Sequence, residues 1–271
     1  MYKILITDIE TENEPYHGHP SSPHNPTNYI VAPGWRVDTV NDDGTVSTGE
    51  VKYRYFTSKE DSIAGSDWFT ALDDCSIMVC HNASFEIQWF LTYYRERLEN
   101  FIRKGGRILD TALAEYLLSD QTEMYPKLDE VAPRYGGTHK IDGVKILWEQ
   151  GVRTSAIDKD LLIEYLAGPS GDIDNTGLVF YGQMQKLVER GAWRMFLERC
   201  DAVLAYAYCE WFGLHVNQEV AYKNYHEQSA EIARLTAELQ KLLPKDLPAD
   251  AEFSWTSRFH VSALIYGGPL K

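Results

Sequence analysis

The chain reads as an α/β protein with a mixed sheet, followed by a helical segment. Three observations carry that expectation. Residues 1–58 hold strand patterns and turn signals. Residues 77–190 alternate short apolar runs with stretches of helical spacing. After Gly191 only helical patterns remain. Strands first, then helix and strand by turns, imply helices packed on a sheet whose strands run in both directions.

The elements can be taken in order. "YKILIT" is a buried strand ending at Asp8. "TENEPYHGHPSSPHNPT" is rich in Pro, His, Gly and Ser and reads as loop. "NYIVAPGWRVDTV" and "TGEVKYRYFTS" are β-like and joined by the turn signal "NDDG". "DWFTALDD" suggests a short helix and "CSIMVCHN" another buried strand. From Ser84 to about Lys104, Phe85, Trp89, Tyr93, Leu98 and Ile102 recur at helical spacings, which predicts one helix. "RILDTALAEYLLSD" is a short strand running into a helix. Residues 126–158 hold short helical pieces and turns such as "RYGGTHKIDG". "DKDLLIEYLAG" is helical, "GPSG" breaks it, and "DIDNTGLVFYGQMQKLVER" restarts a helix that Gly191 caps. Two further helices lie on either side of "GLHVN", the second long and amphipathic.

With 44% hydrophobic and 13% aromatic residues, the 271-residue chain can bury a sizeable core. No run of about 18 apolar residues is present, and the start lacks a basic region leading into an apolar one, so neither a membrane span nor a secretory signal is expected. Cys75, Cys80, Cys200 and Cys209 show no CxxC spacing and read as reduced core thiols of a cytosolic protein. The net charge of −14 argues against a broad electrostatic grip on nucleic acid. It leaves room for a metal site, where acids are the working parts. His17, His19 and His24 lack metal-ligand spacing and read as a solvated loop. Trp89, Trp148, Trp193 and Trp211 read as core.

Three acidic stretches stand out. Asp8 and Glu10, two apart on a strand, point to one face. Side by side they repel, and a hard cation such as Mg²⁺ or Mn²⁺ would relieve that; a solvated strand end is the alternative. Glu86 comes after the strand end "HN" at the start of a helix, where the helix dipole favours a carboxylate. Asp172 opens a helix after a Gly/Pro/Ser break, as an N-cap often does.

Taken together, "DIET", "HNASFE" and "DIDNT" resemble the three motifs of the DEDD superfamily of 3′–5′ exonucleases. The stretches "ILDTALAEYLLSDQ", "KLDEVAPRYGG", "VKILWEQGVRTSAID" and "DLLIEYL" are similar to the proofreading domain of bacteriophage-type family A DNA polymerases. "EWFGLHVNQE" resembles the helical segment after that domain, and "FSWTSRFHVSALIYGG" resembles the family's entry into the polymerase body. The resemblance covers nearly the whole chain.

It implies a ribonuclease-H-like mixed sheet flanked by helices. It divides the chain into an exonuclease domain, 1–190, and a helical region, 191–271, like the start of a polymerase thumb that stops before palm and fingers. It implies two divalent metal ions, Mg²⁺ or Mn²⁺, with Asp8, Glu10 and Asp172 as ligands and Asp8 shared between the two. Glu86 takes the place of the family's second-motif Asp. Asp174 is a rival for the last ligand, but Asp172 fits the motif with Thr176. Asp110 is expected to support the site rather than ligate. The family's Tyr, four residues before the last Asp, has no counterpart at Gly168. Tyr165, seven before, is the candidate, with "AGPSG" lying between and a three-residue insertion accounting for the longer spacing. Thr11, Glu12, Asn82 and Phe85 would flank the terminal nucleotide.

The implied activity is hydrolysis of single-stranded DNA 3′ ends to nucleoside 5′-monophosphates, proofreading for a polymerase portion on the same or a separate chain. The implied compartment is the cytoplasm, that of an infected bacterium if a phage encodes the chain. The competing expectations are a catalytically weak or inactive scaffold of the same fold and an RNA-trimming exonuclease.

Overall fold

A computed structural model describes residues 1–124, 126–139, 143–245, 247 and 253–269. The chain divides into two compact units, Met1–Gly213 and Leu214–Lys271. Among the described residues, no helix is long and apolar enough to cross a membrane.

In the first unit six strands form one sheet: β1 (Tyr2–Thr11), β2 (Ile30–Val40), β3 (Val46–Ser47), β4 (Lys52–Tyr53), β5 (Ile77–Cys80) and β6 (Arg107–Asp110). The order is β3-β2-β1-β5-β6, with β4 also paired to β2. β1 and β2 are antiparallel, whereas β5 and β6 run parallel to β1. This is the expected ribonuclease-H-like mixed sheet. β1 lies at its centre, and Ile4, Leu5 and Ile6 are fully buried, as an apolar run covered on both faces requires.

The helices of this unit are α1 (Lys59–Ala64), α2 (Ala83–Tyr93), α3 (Arg95–Arg103), α4 (Thr111–Leu118), α5 (Leu128–Val131), α6 (Gly143–Glu149), α7 (Lys159–Ala167), α8 (Asp172–Glu189) and α9 (Trp193–Phe212). "DWFTALDD" forms a 3₁₀ turn, Ser66–Leu72, preceded by α1, which the sequence pattern does not announce. The single helix expected over 84–104 is two. It breaks at Tyr94, whose φ of −135° and ψ of 28° are not helical. The spacing of five between Tyr93 and Leu98 marked that break. Tyr94 is held in an aromatic cluster with Trp68, Phe69 and Phe90, and its hydroxyl accepts from Trp68 Nε1 at 3.1 Å.

α8 ends as expected at Gly191. With φ +66° that glycine donates to Val188 O at 3.0 Å, and Ala192 donates to Leu187 O at 2.8 Å, a Schellman closure. α9 packs in this first unit. Ser84 Oγ and Gln88 Nε2 donate to Glu210, and Trp211 Nε1 donates to Thr92 Oγ1 at 2.9 Å. The compact unit therefore takes in a helix that the sequence pattern groups with the C-terminal region. The turn expected through 140–142 lies outside the described residues.

The second unit holds α10 (Gln218–Gln240) and α11 (Arg258–Tyr266). Asn217 caps α10 by accepting from Val220 N at 3.1 Å. No residue of α10 is buried.

A candidate carboxylate centre at the end of the central strand

Directly opposed residues of an antiparallel pair share a face. Ile4, Ile6, Asp8 and Glu10 of β1 stand opposite Asp38, Arg36, Gly34 and Ala32 of β2, so all eight lie on one side of the sheet. α8 covers this side: a methyl group built on Gly177 would come within 3.2 Å of Ile6 Cδ1. Its N-terminus therefore meets the C-terminal end of β1.

That meeting brings three acids together. One carboxylate oxygen each from Asp8, Glu10 and Asp172 lies within 4.8 Å of the others. Asp172, the first residue of α8, is 1% exposed, and Gly171 occupies the cap position that the sequence pattern offered to Asp172. Asp8 Oδ1 accepts from Ile9 N at 3.0 Å. The β1–β2 register slips between Glu10 and Thr11, a bulge of the kind found beside functional sites. Asp174 faces elsewhere: it pairs with Arg36 Nη1 at 2.6 Å.

Glu86 completes the group. It is 2% exposed, in the first turn of α2. Burial, then the charge of Asp8, pushes its carboxyl well above the usual range. Its Oε2 finds no hydrogen-bond donor among the described residues. Burial, with Glu86 and Asp8 nearby, also pushes up the thiol of Cys80 below the site. These are hard oxygen donors crowded in a low-dielectric pocket, which suits a divalent cation of the Mg²⁺ or Mn²⁺ class.

Asp110 contacts backbone groups on two helices. Its carboxylate accepts from Ala112 N at 2.8 Å and Leu113 N at 3.4 Å, capping α4. It also accepts from Asn82 N at 2.9 Å and Ala83 N at 3.0 Å at the start of α2. One side chain thus ties two helix N-termini to the end of β6. Asn82 is held with φ +69°, a left-handed conformation that costs energy for a non-glycine residue and tends to collect at functional sites.

A cleft of about 730 Å³ opens over the acids. Asn82, Phe85 and Tyr165 line it, together with Asp8, Glu10, Glu86, Asp110 and Asp172. Tyr165, on α7, reaches the cleft of Asp172 across the turn Gly168–Gly171, in which Ser170 has φ +69°. A second chamber of about 610 Å³ shares Ile9, Glu10, Phe85 and Trp148 with the first, and Thr11 lines it. Glu12 lies in neither. Its carboxylate accepts from Thr154 N at 3.0 Å, Asn13 N at 3.2 Å and the Ser155 hydroxyl, which anchors the 153–155 turn to β1.

Other cleft residues were not singled out by sequence. Trp148 is half-buried rather than core. It packs edge-on against Tyr165 with ring centroids 5.7 Å apart, and its Nε1 donates to Thr154 Oγ1 at 3.1 Å. α6 is too short for periodicity to separate a cleft wall from a core face. His81 lines the cleft next to Asn82, so its place in "HNASFE" was the available signal. Its Nε2 donates to Pro126 O at 2.9 Å, and Nδ1 lies 2.8 Å from Thr111 Oγ1. Lys127 and Lys145 bring positive charge to the cleft wall.

No protein-family model and no curated protein matches the chain. Among solved structures, the family B DNA polymerase from the hyperthermophilic archaeon Pyrobaculum calidifontis is similar over 69% of this chain, with a TM-score of 0.43 and 15% identity. The chain spans 25% of that polymerase's length. At 15% identity the chemistry has to be argued from the site's own residues.

Proposed function

We propose that the chain is a metal-dependent 3′–5′ exonuclease acting on single-stranded DNA ends, the proofreading part of a phage-type family A DNA polymerase. The observation that carries the proposal is the convergence of Asp8, Glu10 and Asp172 within 4.8 Å, with the buried Glu86 beside them. Four acids with no obvious reason to be neighbours are expensive to bring together. Divalent cations remove that cost.

In this reading Asp8, Glu10 and Asp172 would hold two divalent ions, Mg²⁺ or Mn²⁺, and Glu86 would act through a water. The ions, when bound, supply fixed positive charge for the phosphate and lower the pKa of water. The chain's own groups then orient the reaction. Tyr165 holds the attacking water through its hydroxyl. Asn82 and Phe85 contact the last nucleotide, Phe85 by stacking on a base. Thr11 borders the second chamber and contacts the nucleotide from there. Lys127 and Lys145 offset the repulsion between an acidic chain and a polyanion at the point of entry. Proofreading would further require a polymerase portion on the same or a separate chain.

The test is direct. The purified chain is incubated with 3′-labelled single-stranded DNA and Mg²⁺ or Mn²⁺. Nucleoside 5′-monophosphates are expected, and Asp8→Ala with Glu10→Ala should abolish both the product and calorimetric Mn²⁺ binding. Degradation that persists in the double variant sinks the site. Mn²⁺ binding without hydrolysis of DNA or matched RNA points instead to an inactive scaffold.

A further inference from the structure

We propose that Arg36 and Asp174 are positioning residues that fix the register of α8 along the sheet and so hold Asp172 at the acid centre. The proposal rests on the metal-site reading above, and it begins from the polar groups buried under α8. Arg36, 5% exposed, reaches Asp38, which is fully buried, through Nε at 2.9 Å and Nη2 at 3.2 Å. It also reaches Asp174 through Nη1 at 2.6 Å. Asp38 accepts as well from Tyr181 Oη at 2.9 Å and from Gly49 N at 2.9 Å. The guanidinium fits because residue 177 is glycine: a Cβ there would lie 2.0 Å from Arg36 Nη2.

The spacing of these contacts has a physical consequence. α8 meets the sheet at three successive levels: Asp172 near Asp8, Asp174 and Gly177 at Arg36, and Tyr181 at Asp38. From Asp172 to Tyr181 a helix rises about 13.5 Å. From Gly34, opposite Asp8, to Asp38 a strand rises about 13.6 Å. The two ladders match. Apolar packing alone would resist sliding weakly, because one helical turn, about 5.4 Å, brings a similar face back onto the sheet. Such a slip would carry Asp172 out of the cluster. Buried ionic groups are best attested as devices that fix register; here the buried guanidinium of Arg36 reaches the partly exposed Asp174, 35% exposed and two residues from a proposed ligand.

Three variants test it: Asp174→Asn, Asp174→Glu, and Arg36→Met combined with Asp38→Leu. The last removes the buried pair as a unit and leaves net charge unchanged, so a metal-binding loss there reports position, not charge. Amide exchange over residues 172–177 and Mn²⁺ affinity are measured on each, with a thermal melt. Faster exchange is expected in Asp174→Asn and in the double variant, with Mn²⁺ affinity weakened about tenfold, the scale of outer-shell losses at metal sites. Asp174→Glu should retain most of both. Exchange and affinity like wild type in Asp174→Asn overturn the proposal, and so does a folded double variant with both unchanged. If the wild-type chain binds no Mn²⁺, the metal reading fails, and the exchange data alone still decide the register role.

Discussion

At the scale of single residues, Glu86 carries the sharpest consequence. It sits in the first turn of α2, 2% exposed, and burial and the nearby Asp8 push its carboxyl well above the usual range. A raised folded pKa means that the native state holds the proton more tightly than the unfolded chain does. The stability from that proton is present below the ordinary glutamate pKa of 4.5, and is lost as pH rises through the higher folded value. The metal-free protein should therefore become less stable from mildly acidic to neutral pH. Glu86→Gln should remove this loss, so metal-free variant and wild type should melt alike in acid while the variant melts higher at pH 8. Mn²⁺ should close the gap at pH 8. Thermal melts with EDTA and with Mn²⁺ at both pH values check this. Metal-free wild type and variant melting alike at pH 8 would contradict it. Asp110 shows the opposite use of a carboxylate: four backbone N–H groups satisfy it, so its charge is balanced without a cation.

At the scale of elements, the site depends on how closely α7 and α8 approach β1 and β2. Gly34, opposite Asp8, makes that approach possible: a Cβ there would lie 2.9 Å from Leu166 Cγ and 3.1 Å from Ile173 Cγ1. Gly34→Ala should cost about 1–3 kcal/mol by overpacking, read from a denaturant melt, and should weaken Mn²⁺ binding because it pushes the start of α8 away from Asp8. Unchanged Mn²⁺ affinity would show that helix and strand are not so tightly coupled. The same elements show what was legible beforehand. Strand patterns such as "YKILIT" and "CSIMVC" announce buried strands because burial on both faces leaves only apolar choices. α8 could be read because a Gly/Pro/Ser break precedes it and Gly191 closes it. The break at Tyr94 coincides with the one gap of five, Tyr93 to Leu98, in spacings that otherwise stay at four, a deviation too small to set two helices apart from one. Trp148 was misread because a seven-residue helix has too few turns to show which face is a cleft. Arg36 could not be read at all. Its partners lie at positions 38 and 174, and only the folded sheet brings them together.

At the scale of the whole chain, charge and compactness point the same way. For the proposed exonuclease, the net charge of −14 makes a divalent cation, rather than a basic surface, the natural bridge to a phosphate. Every residue of the acid centre and of the cleft above it falls within Met1–Gly213, one compact unit. The next stretch is open to attack: Leu214 is 93% exposed and Val216 60% exposed, ahead of the capped start of α10 at Asn217. An exposed connection is where a protease enters first, and chymotrypsin cleaves after a leucine. Limited chymotryptic digestion should therefore cut near Leu214 and release a stable fragment ending there. Because the proposed ligands and their supports all lie before the cut, that fragment should bind Mn²⁺ with the affinity of the intact chain and keep the same pH-dependent melting. A fragment that binds tenfold more weakly would mean that the acid centre draws on residues after Gly213, and the metal site would then have to be assigned to the chain as a whole.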